Sequence, residues 1–89
     1  MADDVETIER AAIRHDMSFY SVPRPKRHAE VVRLMAAGGY GPEKMHDQGF
    51  LTSRSRFVDR KEALQIALAA GQITAPKFQP NQLFSEDVW

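Results

Sequence analysis

The alternation of apolar and polar positions divides the chain into two similar halves. In Ser18-Phe19-Tyr20-Ser21-Val22 the β-branched and aromatic residues predict a strand, and although residues 7–14 could be helical on propensity, Ile8, Ala12 and Ile13 supply an earlier strand, so residues 7–22 read as a hairpin. Pro23 and Pro25 stop that strand, and Pro25 stands where a proline is tolerated in the first turn of a helix. His28, Val31, Val32, Met35 and Ala36 then recur at helical spacing until Gly38-Gly39. Residues 39–48 read as a loop. Gly49-Phe50-Leu51-Thr52 reads as a strand, Ser53-Arg54-Ser55 as a turn and Arg56-Phe57-Val58 as the returning strand. Asp59 with Glu62 three residues on has the spacing of a capping box, and Ala63, Leu64, Ala67 and Leu68 form the stripe of a second helix ending at Gly71.

A shift of thirty-three residues lays Arg27 on Arg60, Val31 on Leu64, Met35 on Leu68 and Ala36-Ala37-Gly38 on Ala69-Ala70-Gly71. The expected architecture is therefore α+β: two ββα units, with a four-stranded antiparallel sheet and two helices on one face. A single domain spans residues 1–89, its last part, 74–89, an extended C-terminal arm. That arm is punctuated by Pro76 and Pro80 and anchored by Leu83, Phe84 and Trp89, which would otherwise form an exposed apolar cluster.

Composition narrows the function. Eighty-nine residues make one compact domain, and 43% apolar with 27% charged residues is an ordinary globular balance. Twelve basic and twelve acidic residues cancel, which disfavours nucleic acid as a partner, and no apolar run approaches the ~18 residues of a membrane span. The absence of cysteine removes disulfides, thiolate nucleophiles and cysteine zinc sites. A cytoplasmic location follows, the more so because Met1-Ala2-Asp3-Asp4-Val5-Glu6 is acidic where a secretory signal is basic.

The charges are segregated along the chain. Acids dominate residues 3–9 and the Glu86-Asp87 pair, whereas Arg24, Lys26, Arg27 and His28 gather where the first helix begins. Unpartnered N–H groups and the positive end of the helix dipole favour an anion there, and arginine offers two donors to phosphate in a planar fork. Arg54, Arg56, Arg60 and Lys61 form a second basic cluster, whose three arginines could complete a cradle for a phosphate-bearing ligand. Tyr20, placed by alternation on the face opposite a core Phe19, or Trp89 could stack on a base. Phe57 and Val58 read as core, and Ser85-Glu86-Asp87 reads as a salt-bridging tail, or else as a segment that accepts from the arginines or meets ribose hydroxyls of a ligand. His15, His28 and His46 share no metal-ligand spacing, so neither metal nor cofactor is expected. A His28 acid or base oriented by Asp59 or Asp87 can be drawn, but no motif marks a nucleophile, and no catalytic residue is assigned.

The blocks Lys26-Arg27-His28, Gln48-Gly49-Phe50-Leu51-Thr52, Arg56-Phe57-Val58-Asp59-Arg60-Lys61-Glu62-Ala63, Ala70-Gly71-Gln72-Ile73 and Leu83-Phe84-Ser85-Glu86-Asp87-Val88-Trp89 occur in an order that resembles a family of short proteins common in tailed phages, prophages and bacteria. The resemblance covers roughly residues 18–89. It implies a phage-borne accessory protein acting inside an infected bacterium, similar in size and in its phosphate-friendly clusters to phage proteins that sequester cyclic nucleotide or cyclic ADP-ribose immune signals. The reading expected on these grounds is capture of an anionic, nucleotide-like small molecule by a homodimer. The competing readings are an enzyme that degrades such a nucleotide through His28, and an interaction protein that inhibits a host enzyme or binds nucleic acid.

Overall fold

The computed structural model describes residues 5–89. Two hairpins, each followed by a helix, run in the order β1 (Ile8–His15), β2 (Ser18–Pro23), α1 (His28–Ala37), β3 (Asp47–Thr52), β4 (Phe57–Asp59) and α2 (Arg60–Ala69); a single helical turn, α3 (Ser85–Val88), closes the chain. The strands form an antiparallel sheet in the order β2-β1-β3-β4. The central pair, β1 and β3, joins the two units, with Ala11 opposite Phe50 and Ala12 opposite Gly49.

Each hairpin is closed by a residue with positive φ: Asp16 at 55° in the first and Ser55 at 60° in the second. Asparagine, aspartate and serine carry short polar side chains that suit such turns. Both helices end alike. Gly39, at φ 94°, donates to the Ala36 carbonyl while Tyr40 donates to that of Met35; Gly71, at φ 73°, donates to Leu68 while Gln72 donates to Ala67. This is the Schellman arrangement, in which a glycine adopts the left-handed conformation without a Cβ clash. It fixes the offset between the helices at thirty-two residues rather than thirty-three. The glycine matching Gly71 is Gly39, not Gly38, so His28 corresponds to Arg60 and Met35 to Ala67.

Both helices pack on one sheet face. Val31 and Met35 of α1 meet Ala11, Ile13 and Met45, and Ala63, Leu64 and Ala67 of α2 meet Ile8, Phe50, Val58, Ile73 and Leu83. All these side chains are buried, and at about 25 cal/mol per Å² of apolar surface they supply the main driving force for the fold. The start of α2 is fixed locally, since the Glu62 N–H donates to the Asp59 carboxylate at 2.8 Å. The start of α1 has no such cap. Arg27 is its N-cap residue, and Pro25, joined to Arg24 by a cis peptide, lies outside the first turn.

Alternation along β2 is the reverse of the sequence expectation, and β4 departs from it at one residue. Tyr20 and Val22 turn inward against the α1 core, and Phe19 turns outward, half exposed. The cause is register: Tyr20 stands opposite Ile13 and Val22 opposite Ala11, both inward, whereas Phe19 faces Arg14. Val58 is buried as expected, but Phe57, its neighbour in an alternating strand, lies on the outer face.

Candidate functional site

The blocks that are widely separated along the chain meet where the two helices begin. His28 and Arg60 are the equivalent first residues of α1 and α2, and the segment 83–89 passes between them. Below, Gln48 and Gly49 of β3 complete the junction.

His28 is almost wholly enclosed. Its Nε2 lies 2.7 Å from the Gly49 carbonyl, which can only accept, so Nε2 carries the proton; Nδ1 lies 3.1 Å from the Ser85 hydroxyl, which donates to it. The Ser85 oxygen also receives the His28 backbone N–H, and the ring meets Phe50 edge-on at 4.9 Å. Burial, reinforced by the charge of Arg60, lowers the His28 pKa to about 4, so the imidazole is neutral near pH 7. A ring with both nitrogens engaged inside the core has no atom to offer a substrate. The group that orients it is Ser85, and not Asp59 or Asp87. Asp59 caps α2, while Asp87 accepts from the backbone N–H groups of Lys77 and Phe84.

Arg60 lies over the Phe84 ring at 4.4 Å and donates to the Leu83 carbonyl at 2.8 Å and to the Gln48 side chain at 2.6 Å. Its pKa is lowered by burial, against which Glu86 and Asp87 act. Arg27 holds the backbone oxygen of Trp89 at 2.7 Å through Nε, and the Trp89 indole N–H donates to the Lys26 carbonyl. The Arg24 guanidinium stands 6.0 Å from the indole centroid and 3.5 Å from the Glu9 carboxylate. Of the expected site, then, Arg24, Lys26, Arg27, His28, Arg60 and Trp89 do gather around one junction, where most of their polar atoms fasten the C-terminal segment.

Arg54 and Arg56 act together, but on Glu6. Arg56 grips that carboxylate with Nε at 2.7 Å and Nη2 at 2.9 Å and reaches Glu62 with Nη1, and Arg54 approaches Glu6 to 3.9 Å. Hydrogen bonds from Arg56 and then Thr52 hold the Glu6 pKa at about 2, and hydrogen bonds to Glu6 and then Glu62 raise that of Arg56. Asp3 and Asp4 of the acidic N-terminal run lie outside the described residues. Tyr20 is not presented for stacking: its hydroxyl bonds that of Tyr40 at 2.8 Å, which raises its pKa, and its ring packs inward.

Two depressions flank the junction. One, of about 340 Å³, lies at the start of α2 between His46, Gln48, Arg60, Lys61 and Gln82; the other, of about 430 Å³, lies at the start of α1 between Lys26, Arg27, Ala29, Glu30 and Glu86. Lys61 belongs to the second basic cluster read from the sequence, whereas Gln48 and Glu30 were not recognised as lining residues. Among the described residues no group of histidines and carboxylates could hold a metal ion, and no helix is long and apolar enough to cross a membrane.

No curated protein and no solved structure matches the chain. Compared with known families, residues 7–89 match the one described as Phage T4 y16D protein, a span that contains both ββα units, the junction between them and both depressions. The chain therefore belongs to the phage T4 y16D protein family.

Proposed function

We propose that this phage-family protein captures a phosphate-bearing, nucleotide-like ligand without transforming it. The observation that carries the reading is the depression at the start of α1. Its volume, about 430 Å³, lies within the range of small-ligand sites, and it sets Lys26 beside the first turn of the helix, which the N-cap residue Arg27 does not cap with its side chain. A phosphate seated there meets a mobile ammonium and the positive end of the helix dipole. Glu86, in the same lining, accepts from a sugar hydroxyl, and Arg27, anchored on Trp89 through Nε and Nη2, has Nη1 left for the same anion. Capture rather than turnover follows from His28, whose two nitrogens are engaged in the core.

In an infected bacterium, such capture would hold an immune signal of the cyclic nucleotide or cyclic ADP-ribose type below its receptor's threshold. The depression is shallow enough that a second protomer laid across it would enclose the ligand, so a homodimer suits this function. The test is a thermal-shift series with cyclic mono-, di- and trinucleotides and cyclic ADP-ribose isomers, because a ligand that binds only the folded chain raises Tm. At least one is expected to raise it, Lys26→Glu to abolish the rise, and heat-released ligand to be recovered intact. A chemically altered ligand would transfer the protein to the enzymes. No shift with any member, or a shift unchanged in Lys26→Glu, would remove this site.

A further inference from the structure

The sheet face turned away from the helices is covered by no element among the described residues. Alternation delivers to it Arg10, Ala12 and Arg14 of β1, Phe19 of β2, Gly49 of β3 and Phe57 of β4. Ala12 and Gly49 stand opposite one another at the centre and form a low floor. A Cβ at position 49 would come within 2.1 Å of the Val58 carbonyl oxygen and 2.8 Å of the Phe57 ring, so glycine is what lets that ring lie against the sheet. Phe19 and Phe57 stack, with centroids 5.5 Å apart and planes at 26°. Phe19 keeps 51% of its surface exposed.

Guanidinium groups frame this aromatic pair. Arg14 lies 4.7 Å over the Phe57 ring, is held through Nε by Asp47 at 2.6 Å and remains partly exposed. Arg10 donates to the Ser21 hydroxyl at 2.9 Å and pairs with no carboxylate among the described residues. The zero net charge of the whole chain therefore conceals a face whose aromatic surface is bordered by two guanidinium groups, Arg14 paired with Asp47 and Arg10 with no carboxylate among the described residues.

We infer that this face docks single-stranded nucleic acid, with Phe19 stacking on an unpaired base and Arg10 and Arg14 meeting successive backbone phosphates. Aromatic rings beside arginines on a sheet are the combination that holds unpaired bases, since every base has a π-face and every linkage an anion. The spacing selects a strand over a mononucleotide: Arg10 and Arg14 are four residues apart on β1, about 13 Å at ~3.3 Å per residue, too far for one phosphate to bridge. Charge selects an anion over a second copy, because a two-fold pairing of this face with itself would set arginine against arginine. The face lies on the other side of the sheet from the α1 depression, so it stands or falls independently of the capture site.

The experiment is fluorescence anisotropy with a labelled oligothymidylate of about twelve nucleotides, within the span of known single-strand sites, titrated at rising salt. Binding is expected at low salt and to weaken log-linearly with salt. Phe19→Ala, at an exposed position that leaves the melting curve in place, is expected to weaken it at least about five-fold. Arg10→Gln is expected to flatten the salt slope by about 0.7, the contribution of one phosphate contact on a single strand. Absence of binding at the lowest salt overturns the inference. So does equal affinity in Phe19→Ala, or competition by free thymidine monophosphate as effective as by the oligomer. A dimer that Phe19→Ala converts to monomer, with no oligonucleotide bound, would assign the face to self-association instead.

Discussion

At the scale of single residues, His28 shows how one side chain can be singled out correctly and given the wrong role. Its position on the apolar stripe of α1 was readable from spacing, and its burial follows from that stripe. The partners were not readable, because Gly49 and Ser85 are twenty-one and fifty-seven residues away. Its lowered pKa carries a pH dependence whose sign is determined. The unfolded histidine takes up a proton near pH 6.5 and the folded one only near 4, so the stability it contributes is complete above about 6.5 and is lost as pH falls toward 4. The charged groups facing it, Arg60 and Glu86, act in opposite directions on this ring. Urea denaturation at pH 7 and pH 4.5 should show a loss of about 2 kcal/mol from this group, shrinking in His28→Gln. The Glu6 carboxylate, with its pKa near 2, adds a loss at lower pH, between about 4.5 and 2, which His28→Gln leaves in place. A wild-type stability flat from pH 7 to 4.5 would show that the ring is hydrated.

At the scale of elements, features set by neighbours in sequence were legible. Asp59 was recognisable as a cap because its acceptor and the Glu62 N–H lie three residues apart. Asp59→Ala should destabilise the protein by about 1 kcal/mol in chemical denaturation, with the sheet retained in the circular dichroism spectrum. Which face of a strand turns inward proved less legible. Phe19 and Tyr20 are both large, both β-formers and adjacent, so alternation alone leaves two solutions; pairing of Tyr20 with Ile13 selects one. The repeat was visible only approximately, since the Ala-Ala-Gly strings align one residue away from the glycines that adopt positive φ.

At the scale of the molecule, the C-terminal segment is the keystone between the two units. Leu83 is fully buried among α2 and β3 residues, Ser85 closes the hydrogen bonds of His28, and Trp89 meets Phe50 from above. Leu83→Ala removes a side chain from the centre of the core, at an expected 2–5 kcal/mol. Its unfolding should remain a single transition, because α1 and α2 share this one filler; two separate transitions in calorimetry would mean that the ββα units fold independently. The same keystone explains why the basic cluster reads so suggestively in the sequence. Arg27 and Arg60 are where an anion would be held, and both donate instead to backbone oxygens of the tail.

The sequence alone determined what short-range forces decide: two hairpins, two amphipathic helices with their caps, and an α+β class in which both helices seek one sheet face. The tertiary structure decided which strands became central, which aromatic rings turned outward, and which cations met a partner inside the chain. The reason is physical. Caps and periodicities arise between residues three or four apart, whereas the pairing of β1 with β3, the grip of Arg56 on Glu6 and the seating of residues 83–89 join positions tens of residues apart, whose proximity exists only once the core has closed.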